Sequence, residues 1–303
     1  MLVMRGLVVF LGAGLLLASG GAPERGRPLV LLVHGRGMLG EDSAATRQFW
    51  LRALTAGGRT LTSRPLITEG DVRVVWYADV FDPRSGDVCD YAPTDRRAQR
   101  ERAEDPTVRD LVGSIGMVLG ALTSAVDDTV ANGGLRSLAA DASFLSDARK
   151  RCAAEARLDR ELDRAWSEGR PIVLVAHSLG SLVAYDLLSS RSDTGLVRRF
   201  VTMGSPIGSA DLRRLLIGGD STDTLAMPRC VHEWVNIRNN GDVFATSLPL
   251  GRDVFEAPPP DEPDPHEMVG YLRSSKAAKE ILGAWCAAFS TDRPPGCKDV
   301  VSN

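Results

Sequence analysis

The sequence predicts an α/β protein, a three-layer α/β/α sandwich around a mostly parallel sheet, with a helical insertion ahead of the third strand. Short apolar runs rich in β-branched residues alternate along the chain with helical stretches, as in proteins built from βαβ units. Two of these runs, Leu29–Val33 and Ile172–Ala176, are apolar throughout, which is typical of central strands buried on both faces. The 303 residues, 44% of them apolar, are enough to bury one large core. We therefore expect one domain over residues 28–290, followed by a C-terminal tail over 291–303.

The individual elements follow from the same pattern. The predicted strands are Leu29–Val33, Val72–Tyr77, Ile172–Ala176, Arg199–Met203 and Val231–Ile237. The predicted helices are Ala44–Thr55, Ser146–Ser167, Leu182–Ser190 and Ser274–Ala288. Since these helices connect parallel strands, the crossovers are expected to be right-handed.

The interval between the second and third strands is too long for one crossover, so residues 81–145 are predicted to hold an insertion. A polar stretch, Asp90–Asp105, precedes Val108–Val130, whose apolar residues recur with the spacing of an amphipathic helix. This helix is either an extra helix packed on the core, or a mobile lid or lipid-contacting helix over the functional site. A second insertion, Ser209–Pro228, is also a candidate roof for the functional site, and the Pro-rich stretch Ala257–Pro265 is predicted to be a loop.

The first twenty residues have the pattern of a secretory signal peptide. Arg5 is followed by the apolar run Gly6–Ala18 and then by small residues. The run is shorter than the roughly 20 residues that a membrane-spanning helix needs. We expect residues 1–20 to direct export, with cleavage after Gly20, so that the chain is periplasmic or secreted. Without cleavage the chain would remain anchored in the membrane.

Charge and cysteine usage exclude several classes of protein. With 36 basic and 39 acidic residues the chain lacks the basic footprint of a nucleic-acid-binding protein. None of its five cysteines has CxxC spacing, so neither a zinc site nor a redox motif is predicted. Disulfides are allowed in an exported chain. Cys286 with Cys297 is the nearest pair in sequence, Cys89 with Cys152 is a second possible pair, and one cysteine must remain unpaired.

The segment Arg170–Ser181 carries the strongest functional signal. An apolar strand runs into Ala176-His177-Ser178-Leu179-Gly180, and a helix rich in Leu, Val and Ala follows. A nucleophile elbow needs this order of strand, sharp turn and helix around x-Ser-x-Gly. Small residues two before and two after Ser178 let the backbone turn tightly, and Ala176 replaces the usual first Gly. The pattern predicts Ser178 as a nucleophile at a helix N-terminus.

Elimination among the four histidines selects the base that a serine nucleophile needs. His177 adjoins the nucleophile, and its side chain is expected to point away from Ser178. His34 ends the first strand, and His232 lies at the opposite end of its strand from the functional edge. The chain order of Ser, acid and then His leaves His266, in a loop before the last helix.

The acid that orients the base is expected in the loop after the last clear strand. Asp242 follows the turn residues Asn239-Asn240-Gly241, which take the chain off the strand end. Asp253 is its rival, and Asp261 and Asp264 in the Pro-rich loop are weaker candidates. We favour Asp242.

Two backbone N–H groups are predicted to hold a developing oxyanion. One belongs to Leu179, the residue after the nucleophile. The other is assigned to Arg36, in the loop His34-Gly35-Arg36-Gly37-Met38 after the first strand, where the two glycines permit a bend. A nucleotide-binding loop is excluded, because the chain has neither G-x-G-x-x-G nor G-x-x-x-x-G-K-[ST].

Taken together, these segments resemble the α/β-hydrolase superfamily, and more narrowly its bacterial lipase- and esterase-like branches that carry an A-H-S-x-G elbow. The resemblance covers Leu29 to about Trp285. It includes Gly204-Ser205-Pro206 after the fourth strand, the acid loop Asn236–Asp242, and His266–Tyr271 as the segment that follows the catalytic His.

This resemblance implies an α/β-hydrolase fold with a helical insertion before the nucleophile strand. It also implies hydrolysis of carboxylic esters, small or lipid, through a Ser178–Asp242–His266 triad and an acyl-enzyme, with no metal or cofactor. A thioesterase or amidase on the same triad, and a non-catalytic binding module, are the alternatives. The sequence leaves the substrate and the oligomeric state open. Contact with a membrane surface through the insertion is an expectation.

Overall fold

The computed structural model describes residues 26–82, 89, 147–209, 225–256 and 261–302, and these form one parallel sheet covered by helices. The sheet has six strands in the order β2-β1-β3-β4-β5-β6, and every pair of neighbours is parallel. The strands are β1 Leu29–Val33, β2 Val72–Val75, β3 Ile172–His177, β4 Val197–Met203, β5 Trp234–Asn239 and β6 Arg252–Glu256.

Six α-helices are described: α1 Ser43–Gly58, α2 Ala148–Ser167, α3 Leu179–Ser190, α4 Met268–Arg273, α5 Ser275–Ala287 and α6 Cys297–Ser302. Polar side chains cap three of them. The carboxylate of Asp42 accepts from the N–H of Ala45, that of Asp147 accepts from two N–H groups of α2, and the hydroxyl of Ser274 accepts from the first turn of α5.

Two apolar clusters lie on opposite faces of the sheet. Along β1, Leu29, Leu31 and Val33 face the cluster that includes α2 and α3, while Val30 and Leu32 face the cluster that includes α1, α4 and α5. This alternation is the period of two that a strand imposes on its side chains. The predicted three-layer α/β/α sandwich around a parallel sheet is therefore confirmed.

Parallel pairing brings the carboxyl ends of the central strands to one edge of the sheet. Val33 pairs with Ala176, Ala176 with Thr202, and Met203 with Ile237. The loops that follow β1, β3, β4 and β5 consequently leave the sheet side by side, as in open α/β folds that bind ligands at this edge.

All five predicted strands are present, with shifts at their ends, and a sixth was missed. β2 ends at Val75 rather than Tyr77, and the strand predicted at Val231–Ile237 begins at Trp234 and reaches Asn239. The pattern of apolar, β-branched runs does not predict β6, because charged residues dominate Arg252–Glu256, as is common in an edge strand. The predicted helix Ser274–Ala288 corresponds to α5, with the separate α4 ahead of it.

The sequence leaves the cysteine pairing open, and the structure forms both of the possible pairs. Cys286 pairs with Cys297, and Cys89 pairs with Cys152, while Cys230 is a buried free thiol. Burial raises the pKa of the Cys230 thiol to about 11. Residues 291–303, expected to form a tail, contain α6, which the first disulfide ties to α5.

Several predicted segments fall outside the described residues. These are the N-terminal segment 1–20, the polar stretch Asp90–Asp105, the helix Val108–Val130, residues 210–224 of the second insertion, and residues 257–260 of the Pro-rich loop. Among the helices of the described ranges, none combines the length and the apolar content that crossing a bilayer requires.

Candidate active site

Ser178 occupies a sharp turn between β3 and α3. Its φ of 51° and ψ of −126° lie where residues with a side chain are rarely found, at a cost of about 1–3 kcal/mol. The turn depends on Gly180, since a Cβ there would stand 2.3 Å from the carbonyl oxygen of His34 and 2.8 Å from that of Val33. The small residue two positions after Ser178 is therefore a steric requirement of the elbow.

The structure brings Ser178, His266 and Asp242 together. His266 Nε2 lies 2.9 Å from Ser178 Oγ, and His266 Nδ1 lies 2.9 and 3.0 Å from the two carboxylate oxygens of Asp242. Asp242 is in the turn after β5, where Gly241 has a φ of +89°, and His266 is in the loop before α4. Because Nδ1 faces a carboxylate, it carries the proton, and Nε2 is left to accept from the serine hydroxyl.

Asp242 is held as a carboxylate. Its side chain is fully buried, and burial alone would raise its pKa. Hydrogen bonds from His266, from the Tyr271 hydroxyl (2.6 Å) and from the Phe244 N–H (2.9 Å) outweigh burial and hold the pKa of Asp242 below its usual range. The charge that orients the imidazole is thus stabilised by three donors.

Tyr271 is a site residue whose role is not predictable from the sequence. Its hydroxyl donates to Asp242 Oδ2 and accepts from the N–H of Asn239 at 3.1 Å. Burial beside the charge of Asp242 raises the pKa of Tyr271 well above its ordinary value. Its place five residues after His266 was the available signal, but spacing alone does not show which atom the hydroxyl contacts.

His177 is a second such residue. Its Nε2–H donates to the backbone carbonyl of His266 at 2.7 Å, so the elbow fixes the backbone of the loop that holds the base. Burial, followed by the proximity of His266, lowers the pKa of His177 to about 3, and the ring stays neutral. The prediction that His177 is not the base agrees with this contact.

The two predicted oxyanion donors lie on segments next to the nucleophile. Leu179 is the first residue of α3, where N–H groups lack partners inside the helix. Arg36 follows Gly35, and a Cβ on Gly35 would stand 3.0 Å from Ser178 Cβ. The guanidinium of Arg36 lies over the ring of Phe244, 4.5 Å from its centroid, and that ring is 4.7 Å from the ring of His266.

Gly204, directly after β4, forms the floor between the three side chains. Its φ is +56°, and a Cβ there would stand 2.9 Å from Asp242 Oδ2 and 3.1 Å from His266 Nδ1. Ser205 is fully buried beneath the elbow, where its Oγ lies 2.6 Å from Ser181 Oγ. The Ser181 hydroxyl in turn donates to the carbonyl oxygen of Ser178. The segment after β4 thus supports both the nucleophile and the acid.

The rival acids are engaged elsewhere. Asp253 lies in β6 rather than in a loop, and it accepts from Asn236 Nδ2 at 2.9 Å and from the Ser247 hydroxyl at 2.7 Å. Asp261 forms an exposed ion pair with Arg273 at 2.7 Å. Neither carboxylate is among the partners of the base.

Asp264 and the two remaining histidines are also outside the hydrogen-bonded set. Asp264 accepts from the backbone N–H of His266 at 2.8 Å, which orders the loop without contacting the imidazole. His232 is exposed ahead of β5, at the opposite end of the sheet. His34 is buried after β1, and its ring nitrogens face backbone groups.

Comparison with known proteins adds a family likeness over one third of the chain. A family model described as lecithin:cholesterol acyltransferase matches residues 156–256. Comparisons with curated proteins and with solved structures gave no significant match. The matched region runs from α2 to β6 and includes Ser178 and Asp242. Over this region the chain is similar to the lecithin:cholesterol acyltransferase family.

Proposed function

We propose that this chain is a serine hydrolase that cleaves carboxylic esters, with lipid acyl esters as the favoured substrates. The observation that carries the proposal is the continuous hydrogen-bonded series from Ser178 through His266 to Asp242. Ser178 Oγ lies 2.9 Å from His266 Nε2, and His266 Nδ1 lies 2.9 Å from Asp242 Oδ2. A nucleophile within reach of a base, itself oriented by a third group, is the arrangement that acyl transfer requires.

The proposed reaction has two stages. In the first, His266 Nε2 takes the proton of Ser178 as Oγ attacks the ester carbonyl, and the same proton then goes to the departing alkoxide. Asp242 stabilises the imidazolium, and the N–H groups of Leu179 and Arg36 hold the oxyanion. In the second stage water attacks the acyl-enzyme, again with His266 as base, and releases the carboxylic acid.

The substrate class rests on the family likeness. The name of the matching family describes an acyl transfer from lecithin to cholesterol, and the match includes the proposed nucleophile and acid. It therefore supports a lipid acyl ester as acyl donor. It also favours a second candidate activity, in which an alcohol rather than water takes the acyl group from Ser178.

A thioesterase or amidase would use the same residues with a different leaving group. The non-catalytic binding module would be favoured by a nucleophile and base separated far beyond about 3.5 Å. The 2.9 Å distance between Ser178 Oγ and His266 Nε2 supports catalysis instead.

Labelling with a fluorophosphonate tests the proposal. We expect the purified chain to be labelled on Ser178 and the Ser178→Ala variant to remain unlabelled. Asp242→Asn should slow labelling and ester hydrolysis at least 100-fold, because the wrong imidazole tautomer results. The matched control Asp253→Asn should stay within a few-fold of wild type. A wild-type chain that does not react, or a Ser178→Ala chain that does, refutes the proposal.

Three substrate series separate the related activities. Esters, thioesters and amides of one acyl group rank the leaving groups, and a series of acyl lengths tests the lipid preference. Addition of a sterol or a long-chain alcohol measures acyl transfer. Rates that fall with acyl length beyond short chains would contradict the lipid preference, and free acid as the sole product would contradict the transferase candidate.

We further propose that the protein acts outside the cytoplasm, either released or held by its N-terminal segment. The two disulfides support this, because such bonds persist mainly in oxidising compartments. N-terminal sequencing of protein recovered from the periplasm and medium of an expressing culture checks the expected cleavage after Gly20. Exclusive recovery from the cytoplasm contradicts export.

A further inference from the structure

His34 lies directly after β1, next to the loop assigned to the oxyanion hole, and both of its ring nitrogens contact backbone groups. Nδ1 is 2.7 Å from the carbonyl oxygen of Gly35, and Nε2 is 3.1 Å from the backbone nitrogen of Tyr77. The side chain is almost completely buried. The reaction proposed above assigns this histidine no proton-transfer step.

The chemistry of the two partners fixes the tautomer of His34. A backbone N–H can only donate, so Nε2 must be the unprotonated acceptor toward Tyr77. A carbonyl oxygen can only accept, so Nδ1 must carry the hydrogen that is donated to Gly35. Burial lowers the pKa of His34 to about 4, so this neutral form persists at ordinary pH.

The ring of His34 is also fixed in orientation. The phenol ring of Tyr77 stacks on it with centroids 4.0 Å apart and planes 11° apart. The Tyr77 hydroxyl donates to the backbone carbonyl of His34 as well. The carbonyl of Gly35 is therefore hydrogen-bonded to a donor that cannot rotate away.

Holding that carbonyl fixes the direction of the next N–H. In a trans peptide the C=O of Gly35 and the N–H of Arg36 point in opposite directions. Tyr77 follows β2, on one side of β1, whereas Ser178 follows β3, on the other side. If the Gly35 carbonyl, held by the ring that stacks on Tyr77, is turned toward the β2 side, a trans peptide turns the N–H of Arg36 toward the side of Ser178.

We propose that His34 is a positioning residue for the oxyanion hole: its Nδ1–H holds the Gly35–Arg36 peptide so that the Arg36 N–H faces the substrate carbonyl. This inference rests on the proposed function and deepens it. The orientation of the donor exists before substrate binds, which is the condition under which oxyanion donors accelerate acyl transfer most.

Two substitutions at one position test the inference. The amide nitrogen of Asn lies near the place of Nδ1, so His34→Asn keeps a donor to Gly35. The end group of Gln lies near the place of Nε2, so His34→Gln keeps an acceptor for Tyr77 and loses the donor. We expect His34→Gln to lower kcat about 10- to 100-fold with KM within about three-fold, since loss of a whole donor costs roughly 100- to 1,000-fold. His34→Asn should recover at least half of that loss on a logarithmic scale.

The affinity for a trifluoromethyl ketone should fall in parallel with kcat/KM, because this inhibitor forms an oxyanion on Ser178 and a general loosening of the fold would not track it. His232→Gln, in an exposed ring at the far end of the sheet, is the matched control and should match wild type. Equal kcat in His34→Gln and wild type overturns the inference. So does a His34→Asn variant that is as slow as His34→Gln.

Arg36→Pro gives a second test, because proline has no N–H and the single substitution leaves His34 in place. We expect it to lose at least 100-fold in kcat/KM, and His34→Gln should then cost no further activity in the Arg36→Pro background. Full activity of Arg36→Pro overturns the inference while leaving the hydrolase intact. A wild-type chain that hydrolyses no ester overturns the proposed function and the inference with it.

Discussion

At the scale of single residues, the site depends on side chains that hold other groups in place. Ser178, His266 and Asp242 could be selected from a motif, from elimination among four histidines and from chain order. Tyr271, His177 and His34 could not, because their contacts join segments 29, 89 and 43 residues apart in sequence. A sequence pattern identifies the reacting groups better than the groups that orient them.

Removal of the Tyr271 hydroxyl tests this support of the acid. Tyr271→Phe takes one of three donors from the Asp242 carboxylate, and a hydrogen bond to a charged group is worth about 1.5–3 kcal/mol. We expect kcat to fall roughly 10- to 100-fold with little change in KM. The pKa of Asp242 should move upward from its lowered position, which carboxyl ¹³C NMR measures.

Tyr185→Phe is the control for that substitution, since the Tyr185 hydroxyl contacts the backbone of Ala226, away from the hydrogen-bonded series of the site. It should alter stability more than kcat. If Tyr271→Phe retained full kcat, then Tyr271 would be a packing residue with no influence on the acid.

At the scale of elements, the apolar central strands were predictable and the charged edge was not. β1 and β3 are buried on both faces, so their apolar composition alone identifies them as central strands. β6 shows no such run, and the missed strand left Asp253 as a loop candidate for the acid. The elbow between β3 and α3 was predictable because its spacing of small residues is a local steric requirement.

Alanine substitutions at two helical glycines distinguish the steric requirement of the elbow from the general effect of alanine on helix stability. Gly180→Ala, near the start of α3, puts a methyl group 2.3 Å from the carbonyl oxygen of His34, so the elbow or the His34 loop must shift. We expect a loss of about 1–3 kcal/mol in the free energy of unfolding and a lower kcat. Gly283→Ala in α5 meets only Val300 Cγ1, at 4.0 Å, and should gain about 0.5–1 kcal/mol.

Urea denaturation followed by circular dichroism, together with kcat, measures both variants. A Gly180→Ala chain as stable and active as wild type would show that the elbow accommodates a larger residue.

At the scale of the whole molecule, two buried histidines couple stability to pH. The pKa of His34 is lowered to about 4 and that of His177 to about 3, against about 6.5 in the unfolded chain. Both rings are neutral in the folded chain, so the unfolded chain binds more protons below pH 6.5. Their contribution is fully present above pH 6.5 and is lost as the pH falls toward 4.

The free energy of unfolding should therefore fall between pH 6.5 and 4, by up to about 1.4 kcal/mol per pH unit for each ring. His177→Gln, whose amide can still donate to the backbone carbonyl of His266, should reduce this slope. Denaturant titrations at pH 7, 6, 5 and 4.5 measure the slopes. A stability that does not change over this range would mean that the buried rings are not held neutral.

The indole N–H of Trp285 donates to the carbonyl oxygen of Pro28 at 2.9 Å, across 257 residues of sequence. Pro28 precedes β1, so this contact lies at the amino ends of the strands, while Ser178 lies beyond their carboxyl ends. The chain that precedes Gly26 therefore enters the domain at the end of the sheet opposite the catalytic edge. If residues 1–20 stayed in a membrane, the described domain would be attached through the amino ends of its strands and not through its catalytic edge. The attachment point would therefore leave the loops around Ser178 free of the anchor, as they would be in a released domain.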